Sequence, residues 1–257
     1  MAEHFFIVGA QRCGTTFLYR LLAGHPEIEM AEPVRPEPKF FLDDERYEKG
    51  LDDYEQRFFS GKPGAWLKGE KSTSYLESDI AAKRISEAFP DARIIVLLRD
   101  PVARAVSNWR FSVQHGVETL SMAEAFMQEE KRREDYDRSR FSVSPYAYLA
   151  RGCYVDYIAT FERYFPRRQI GVFLFEELTS DPAAAAAVFT FLGVDSTAVS
   201  GVSDGPVNAS DEPEDASGSP NPDLVRYLAD YFAAPNARLA AWLGRPLDAW
   251  THPEGAG

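Results

Sequence analysis

Apolar positions along the chain follow two rhythms. Phe5 to Val8 is an unbroken apolar run of strand length, and Phe17 to Ala23 carries Leu18, Leu21 and Leu22 on one side at helical spacing. Between them, Gly9 to Thr16 is a turn rich in small residues. Asp79 to Phe89 has helical periodicity and feeds Arg93-Ile94-Ile95-Val96-Leu97-Leu98, a near-continuous apolar run of the kind found in strands covered on both faces. After Pro101 a further helix places Val102, Ala105, Val106 and Trp109 in register, and Ile170 to Phe175 reads as a third strand. This alternation predicts an α/β protein of three layers, with a central, mostly parallel sheet flanked by helices.

Two regions fall outside that scheme. Residues 117–141 are charged and helical in pattern, and the run Glu129-Glu130-Lys131-Arg132-Arg133-Glu134 predicts a solvated helix face. Residues 200–222 are polar, acidic and rich in Gly and Pro, which predicts a long flexible loop of the length that functional lids have. Helical pattern returns with Leu224, Leu228, Phe232 and Leu239. There is no internal repeat, and the whole chain, 1–257, reads as one domain with a loop at about 200–222 and C-terminal helices.

Composition narrows the function. At 45% hydrophobic residues the chain can bury a sizeable core, and 40 acidic against 28 basic residues give a net charge of −12. That balance argues against general nucleic-acid binding, which needs a basic face to replace counterions. No stretch approaches the roughly 20 apolar residues of a membrane span, and the apolar run at Phe5 is too short for a secretory leader. Cys13 and Cys153 are the only cysteines; they form no disulfide framework and no zinc spacing, and no metal is expected. The expectation is a cytoplasmic protein with no nucleic-acid partner and no membrane span, its oligomeric state unmarked.

The candidate chemistry begins at Gly9-Ala10-Gln11-Arg12-Cys13-Gly14-Thr15-Thr16, between the first strand and the first helix. The glycine spacing is that of a phosphate-binding P-loop, but Thr15 stands where the lysine belongs. Backbone N–H groups can still converge on a phosphate at the helix N-terminus, with Arg12 supplying charge and Thr15 and Thr16 hydroxyls. The missing lysine suits a nucleotide whose 5′ chain differs from a triphosphate. Taken alone, the loop has a second reading as the generic strand–helix turn of an α/β protein. A second phosphate site is offered by Arg99-Asp100-Pro101 after the second buried strand, with Arg104 and Ser107 on the helix that follows. Separately, Arg99 reads as a partner of Asp100, and Ser107 as an exposed helix residue.

Together, the two segments resemble the PAPS-dependent sulfotransferases, whose 5′-phosphosulfate loop and 3′-phosphate arginine–serine pair have this order. Lys39-Phe40-Phe41, Tyr47 to Tyr54 and Phe58-Phe59 resemble a stretch of the heparan sulfate N-sulfotransferase domain and related glycan O-sulfotransferases. Gly69-Glu70-Lys71-Ser72-Thr73-Ser74-Tyr75 resembles the segment that carries the catalytic glutamate of those enzymes, and Arg151 to Tyr154 and Phe191 to Val194 also match. The likeness runs over about residues 4–195.

The resemblance implies a P-loop-like fold and transfer of a sulfuryl group from PAPS to a hydroxyl or amine of a carbohydrate or small-metabolite acceptor, with PAP as product. Glu70 would be the general base and Arg12, in place of the family's lysine, would stabilise charge on the leaving group. Gln11, Arg12, Cys13, Gly14, Thr15, Thr16, Arg99, Ser107 and Tyr154 are the candidate nucleotide contacts, and Lys39, Lys71 and His115 the candidate substrate contacts. Tyr154 and Trp109 read equally well as core aromatics, and His115 as a surface residue. One departure stands out: residues 200–222 hold no lysine or arginine where the family carries a basic closing segment. Asn208 and Ser210 offer neutral contacts there; either the loop points toward the acceptor, or closure uses Arg151 or another base from elsewhere. The competing readings are a P-loop kinase, with Asp100 as its magnesium carboxylate, and an inactive nucleotide-binding protein.

Overall fold

The structure, a computed structural model, describes residues 3–198 and 220–250. The loop expected at 200–222, with Asn208 and Ser210, thus lies almost wholly outside the described residues. The described residues gather into two compact units, one of residues 3–98 and 158–198 and one of residues 99–157 and 220–250.

The first unit is built on a sheet of β1 (Glu3–Gly9), β2 (Ile28–Met30), β3 (Leu67–Lys71), β4 (Arg93–Leu98) and β5 (Ile170–Leu174). Their order is β2-β3-β1-β4-β5, and every pairing is parallel. The three apolar runs are β1, β4 and β5; β2 and β3 join them on one side. The chain leaves β1 toward the β2 edge and later leaves β4 toward β5. The carboxyl ends of β1 and β4 therefore form the switch point where open α/β sheets bind ligands. This is the P-loop-like α/β arrangement.

Alternation along each strand loads both faces. Phe5, Ile7, Ile95 and Leu97 point to one side, where they pack with Leu18, Leu21 and Leu22 of α1 (Thr15–Ala23) and with Val188, Phe189 and Leu192 of the helix Pro182–Leu192. On the other side Phe6 meets Phe41 and Phe89, with ring centroids 5.5 and 5.7 Å away. Gly69 of β3 is needed for the first of these layers: a Cβ there would lie 2.2 Å from the ring of Phe5 and 2.6 Å from Sδ of Met30.

The second unit is helical among the described residues. Its longest elements, Pro101–Gln114 and Pro222–Leu243, start with the same device: Asp100 or Asn221 accepts a backbone N–H two or three residues on, and a proline opens the helix. Val102, Ala105, Val106 and Trp109 of the first pack with Leu224, Leu228 and Phe232 of the second and with Phe126 and Tyr148. The charged stretch 117–141 corrects one expectation. It forms only the short helices Met122–Met127 and Glu129–Arg132, and Glu129 is buried rather than solvated. Its carboxylate accepts the backbone N–H groups of Leu149 and Ala150, which repays the loss of water. Among the described residues no helix is long and apolar enough to cross a membrane.

Replacing Gly69 by alanine tests the close approach beneath β3. Gly69→Ala is expected to destabilise the protein by about 1–3 kcal/mol, as overpacking of a tight core does, and urea unfolding measures it.

Candidate active site

Where β1 ends, Ala10 donates its N–H to the carbonyl of Leu97 at 2.8 Å, and the chain then folds over on itself. Two residues of the loop are left-handed: Arg12 at φ 66 and Gly14 at φ 80. Gly14 occupies the N-cap position of α1, and its lack of a side chain is required twice, since a Cβ would also strike the ring of Phe175 at 2.2 Å. Arg12 takes the same conformation with a side chain, at a cost of about 1 kcal/mol or more. Alternating backbone handedness of this kind turns successive N–H groups to a common point, which is how nests bind anions. Cys13 is fully buried, so only its backbone can serve a ligand; Thr15 is buried and Thr16 half-buried in the first turn of α1. Gln11 fixes the loop to the segment after β3, donating from Nε2 to Glu77 Oε1 at 3.1 Å and to Ser74 Oγ at 3.4 Å.

Glu70 lies beside this loop's parent strand, paired in register with Phe6 of β1. The residue is 1% exposed. Ser72 donates its hydroxyl to Oε1 at 2.6 Å and Tyr54 donates to Oε2 at 2.9 Å. Burial pushes the Glu70 carboxyl up to about 7; hydrogen bonds from Ser72, Tyr75 and Tyr54 restrain that rise, and the nearby Glu37 carboxylate adds to it. A carboxyl so placed changes charge near neutrality, as a general base requires.

Lys71, the next residue, is also buried, and its ammonium is held by the Glu37 carboxylate. Glu37 further accepts from Thr73, through N at 3.0 Å and Oγ1 at 3.1 Å. Lys39 is half-buried and left-handed at φ 50, and its N–H donates to Ser72 Oγ at 2.9 Å. Ser72 thus links the backbone of Lys39 to the carboxylate of Glu70.

The second unit presents the other candidates. Arg99 is half-buried, and its carbonyl accepts the hydroxyl of Tyr154 at 2.7 Å. Tyr154 is itself buried, its ring 5.9 Å from that of Trp250, so it holds the main chain of Arg99 from the interior. Asp100 accepts the N–H of Val102 at 3.1 Å and caps the helix on which Ser107 lies. Ser107 is buried, not an exposed helix residue. Two further arginines are structural. Arg104 donates to Asn108 Oδ1 at 3.2 Å and to the carbonyl of Tyr148, and Arg151 donates to the same Oδ1 and to the carbonyl of Ser144, both at 2.7 Å. Arg151 is buried among these partners, which corrects the idea that it closes over a ligand. His115 is exposed at its helix's C-terminus, with Nδ1–H donating to the carbonyl of Phe111 at 2.8 Å.

Sequence reasoning singled out Glu70 and the loop but gave no role to Tyr54, Ser72, Tyr75 or Glu37. Strand alternation carries a signal for Ser72, two residues beyond Glu70 and so on the same face. Nothing local marks Tyr54 or Glu37. Among the described residues, no group of three or more His, Cys, Asp or Glu is placed to hold a metal.

A family model described as the sulfotransferase domain matches residues 2–209. A solved sulfotransferase from Alicyclobacillus acidocaldarius is 33% identical and superposes with a TM-score of 0.79, covering 97% of this chain and 99% of that one. Heparan sulfate glucosamine 3-O-sulfotransferase 3B1 of Homo sapiens is 31% identical over 189 residues, 73% of this chain. Those residues span 45% of that relative, so the chain matches under half its length. A structure of mouse sulfotransferase SULT7A1 complexed with PAP shares the fold alone, at 14% identity and a TM-score of 0.57.

The raised Glu70 carboxyl ties stability to pH. An unfolded glutamate ionises near 4.5 and the folded one at about 7, so between those values the unfolded state binds fewer protons and stability falls as pH rises. Chemical denaturation at a series of pH values is expected to show a loss on the order of 3 kcal/mol across that window. Glu70→Gln should flatten it.

Proposed function

The chain belongs to the sulfotransferase domain family, and from that premise we propose that it moves a sulfuryl group from PAPS to a hydroxyl or amine of a glycan or small-molecule acceptor, with Glu70 as general base. The observation that carries this reading is the buried carboxyl of Glu70 on β3, the strand paired with β1, whose loop has the backbone form of an anion nest. When bound, PAPS supplies an activated sulfur. The acceptor oxygen or nitrogen forms the new bond to sulfur, the bond from sulfur to the nucleotide's 5′-phosphate breaks, and the acceptor's proton passes to Glu70.

The other roles follow from charge and position. Backbone N–H groups of Arg12 to Thr16 and the hydroxyls of Thr15 and Thr16 hold the 5′-phosphosulfate end. Arg12 meets charge developing on the leaving oxygen through its planar fork. Lys71, whose ammonium is held by Glu37, and Lys39, whose backbone N–H reaches the hydroxyl that donates to the base, are the candidates for a second cationic contact. Arg99 and Ser107 read the 3′-phosphate, with Tyr154 behind Arg99. A kinase reading needs a magnesium carboxylate, and Asp100 is engaged as a helix cap.

Calorimetric titration with PAP, with ADP and with ATP plus Mg²⁺ tests the reading. PAP is expected to bind more tightly than the other two, and Arg99→Ala or Ser107→Ala to weaken PAP on the order of tenfold or more while sparing ADP. Equal or tighter binding of ATP plus Mg²⁺ overturns the assignment in favour of a kinase. Glu70→Gln is expected to lower kcat by about 10²–10⁴-fold with PAP affinity unchanged. Undiminished turnover by that variant removes Glu70 from the mechanism.

A further inference from the structure

Glu70 is enclosed by groups from four places in the chain. Ser72 reaches it from the end of its own strand, Tyr54 from the helix Leu51–Phe58, Tyr75 from the short turn Tyr75–Glu77, and the carboxylate of Glu37 bears on it from the loop before Phe40. Ser72, Tyr54 and Tyr75 are hydroxyl donors, and Glu37 is the one charged group among the four. Tyr75 accepts the N–H of Phe41 at 3.2 Å, which leaves its own proton to donate to Glu70.

Tyr54 differs from the other donors in how it is held. Its ring is fully buried in an aromatic cage, with centroids of Phe40, Phe41, Phe59 and Phe58 4.9, 5.5, 5.6 and 5.7 Å away. The helix Leu51–Phe58 brings the ring in, and the hydroxyl is the polar tip of an otherwise apolar side chain. That tip is spent on Glu70 Oε2. Burial and the neighbouring Glu70 charge push the Tyr54 phenol well above its usual range, so it stays a protonated donor throughout the range in which Glu70 titrates.

On the reading that Glu70 is the base, we propose that Tyr54 is its positioning residue: the caged hydroxyl fixes Oε2 and favours the ionised carboxylate, and Ser72 does the same at Oε1. A carboxylate offers about four acceptor directions, so these donors settle its orientation and leave room for the acceptor's proton. Removal of either donor takes away a bond that is stronger to the ionised carboxylate than to the neutral acid, so the carboxyl becomes harder to ionise.

The test measures Glu70 directly as well as through activity. In full-length protein labelled with carboxyl-¹³C glutamate, the Glu70 signal is identified by its loss in Glu70→Gln, and its titration is followed beside the pH profile of kcat/KM. Tyr54→Phe keeps the ring in its cage and is expected to raise the midpoint of the Glu70 carboxyl by about one pH unit. The acid limb of kcat/KM should move up by the same amount, with activity recovering at high pH. Ser72→Ala should act in the same direction and stands in should Tyr54→Phe fold poorly. A midpoint unmoved in both variants overturns the proposal, whatever happens to the rate. A midpoint that rises while the acid limb stays fixed supports the hold on Glu70 and overturns Glu70 as the base.

Discussion

The parallel hydrogen bonding of β1 to β3 on one side and to β4 on the other is the constraint on which the rest depends. Parallel neighbours end at the same edge of a sheet, so the chain must deliver the loop after Gly9, the Glu70–Lys71 pair and the exit at Leu98 to one rim. The register is equally binding. Phe6 stands opposite Glu70 and Phe5 opposite Gly69, so a slip of one residue would send the carboxylate into the Leu18–Leu22 layer and the glycine to the side of the aromatic cage. The large apolar residues of β1 and β4, covered on both faces, hold the register that puts the chemistry in place.

The pleat of β3 then separates two charges that adjacency in sequence would otherwise couple. Glu70 and Lys71 point to opposite faces, and each is given its own partners: hydroxyls for the carboxylate, a carboxylate for the ammonium. An ammonium beside Glu70 would hold its carboxyl low. Neutral donors fix the geometry and leave burial to keep the carboxyl near neutrality. Burying such a carboxyl opposes folding even with its hydroxyl partners in place.

Much of this was legible from the chain. β1, β4 and β5 are apolar runs, the helix after Pro101 shows its buried face in Val102, Ala105, Val106 and Trp109, and Glu70 stands in a motif that a family resemblance could find. β3 was not legible as a strand because Leu-Lys-Gly-Glu-Lys has no period of apolar residues. Its charges are satisfied by residues far away in sequence: Lys68 by Glu55, Glu70 by Tyr54 and Lys71 by Glu37. Glu129 failed for the same reason, since its carboxylate answers the N–H groups of Leu149 and Ala150 and no local pattern records that pairing. Gly69 resembles a turn residue but serves the ring of Phe5. A one-dimensional pattern reports which residues leave water; it does not report which distant partner lets a charged one follow.

The setting of Arg99 has a thermodynamic consequence. Its carbonyl is held by Tyr154, the next residue caps a helix, and the one after is a proline whose φ is already fixed. The backbone on both sides of the arginine is therefore ordered when the protein folds. Ordering a flexible segment at the moment of association opposes binding through lost conformational entropy. At Arg99 that loss has been met beforehand, and under the proposed function a phosphate arriving there would have only the side chain left to immobilise.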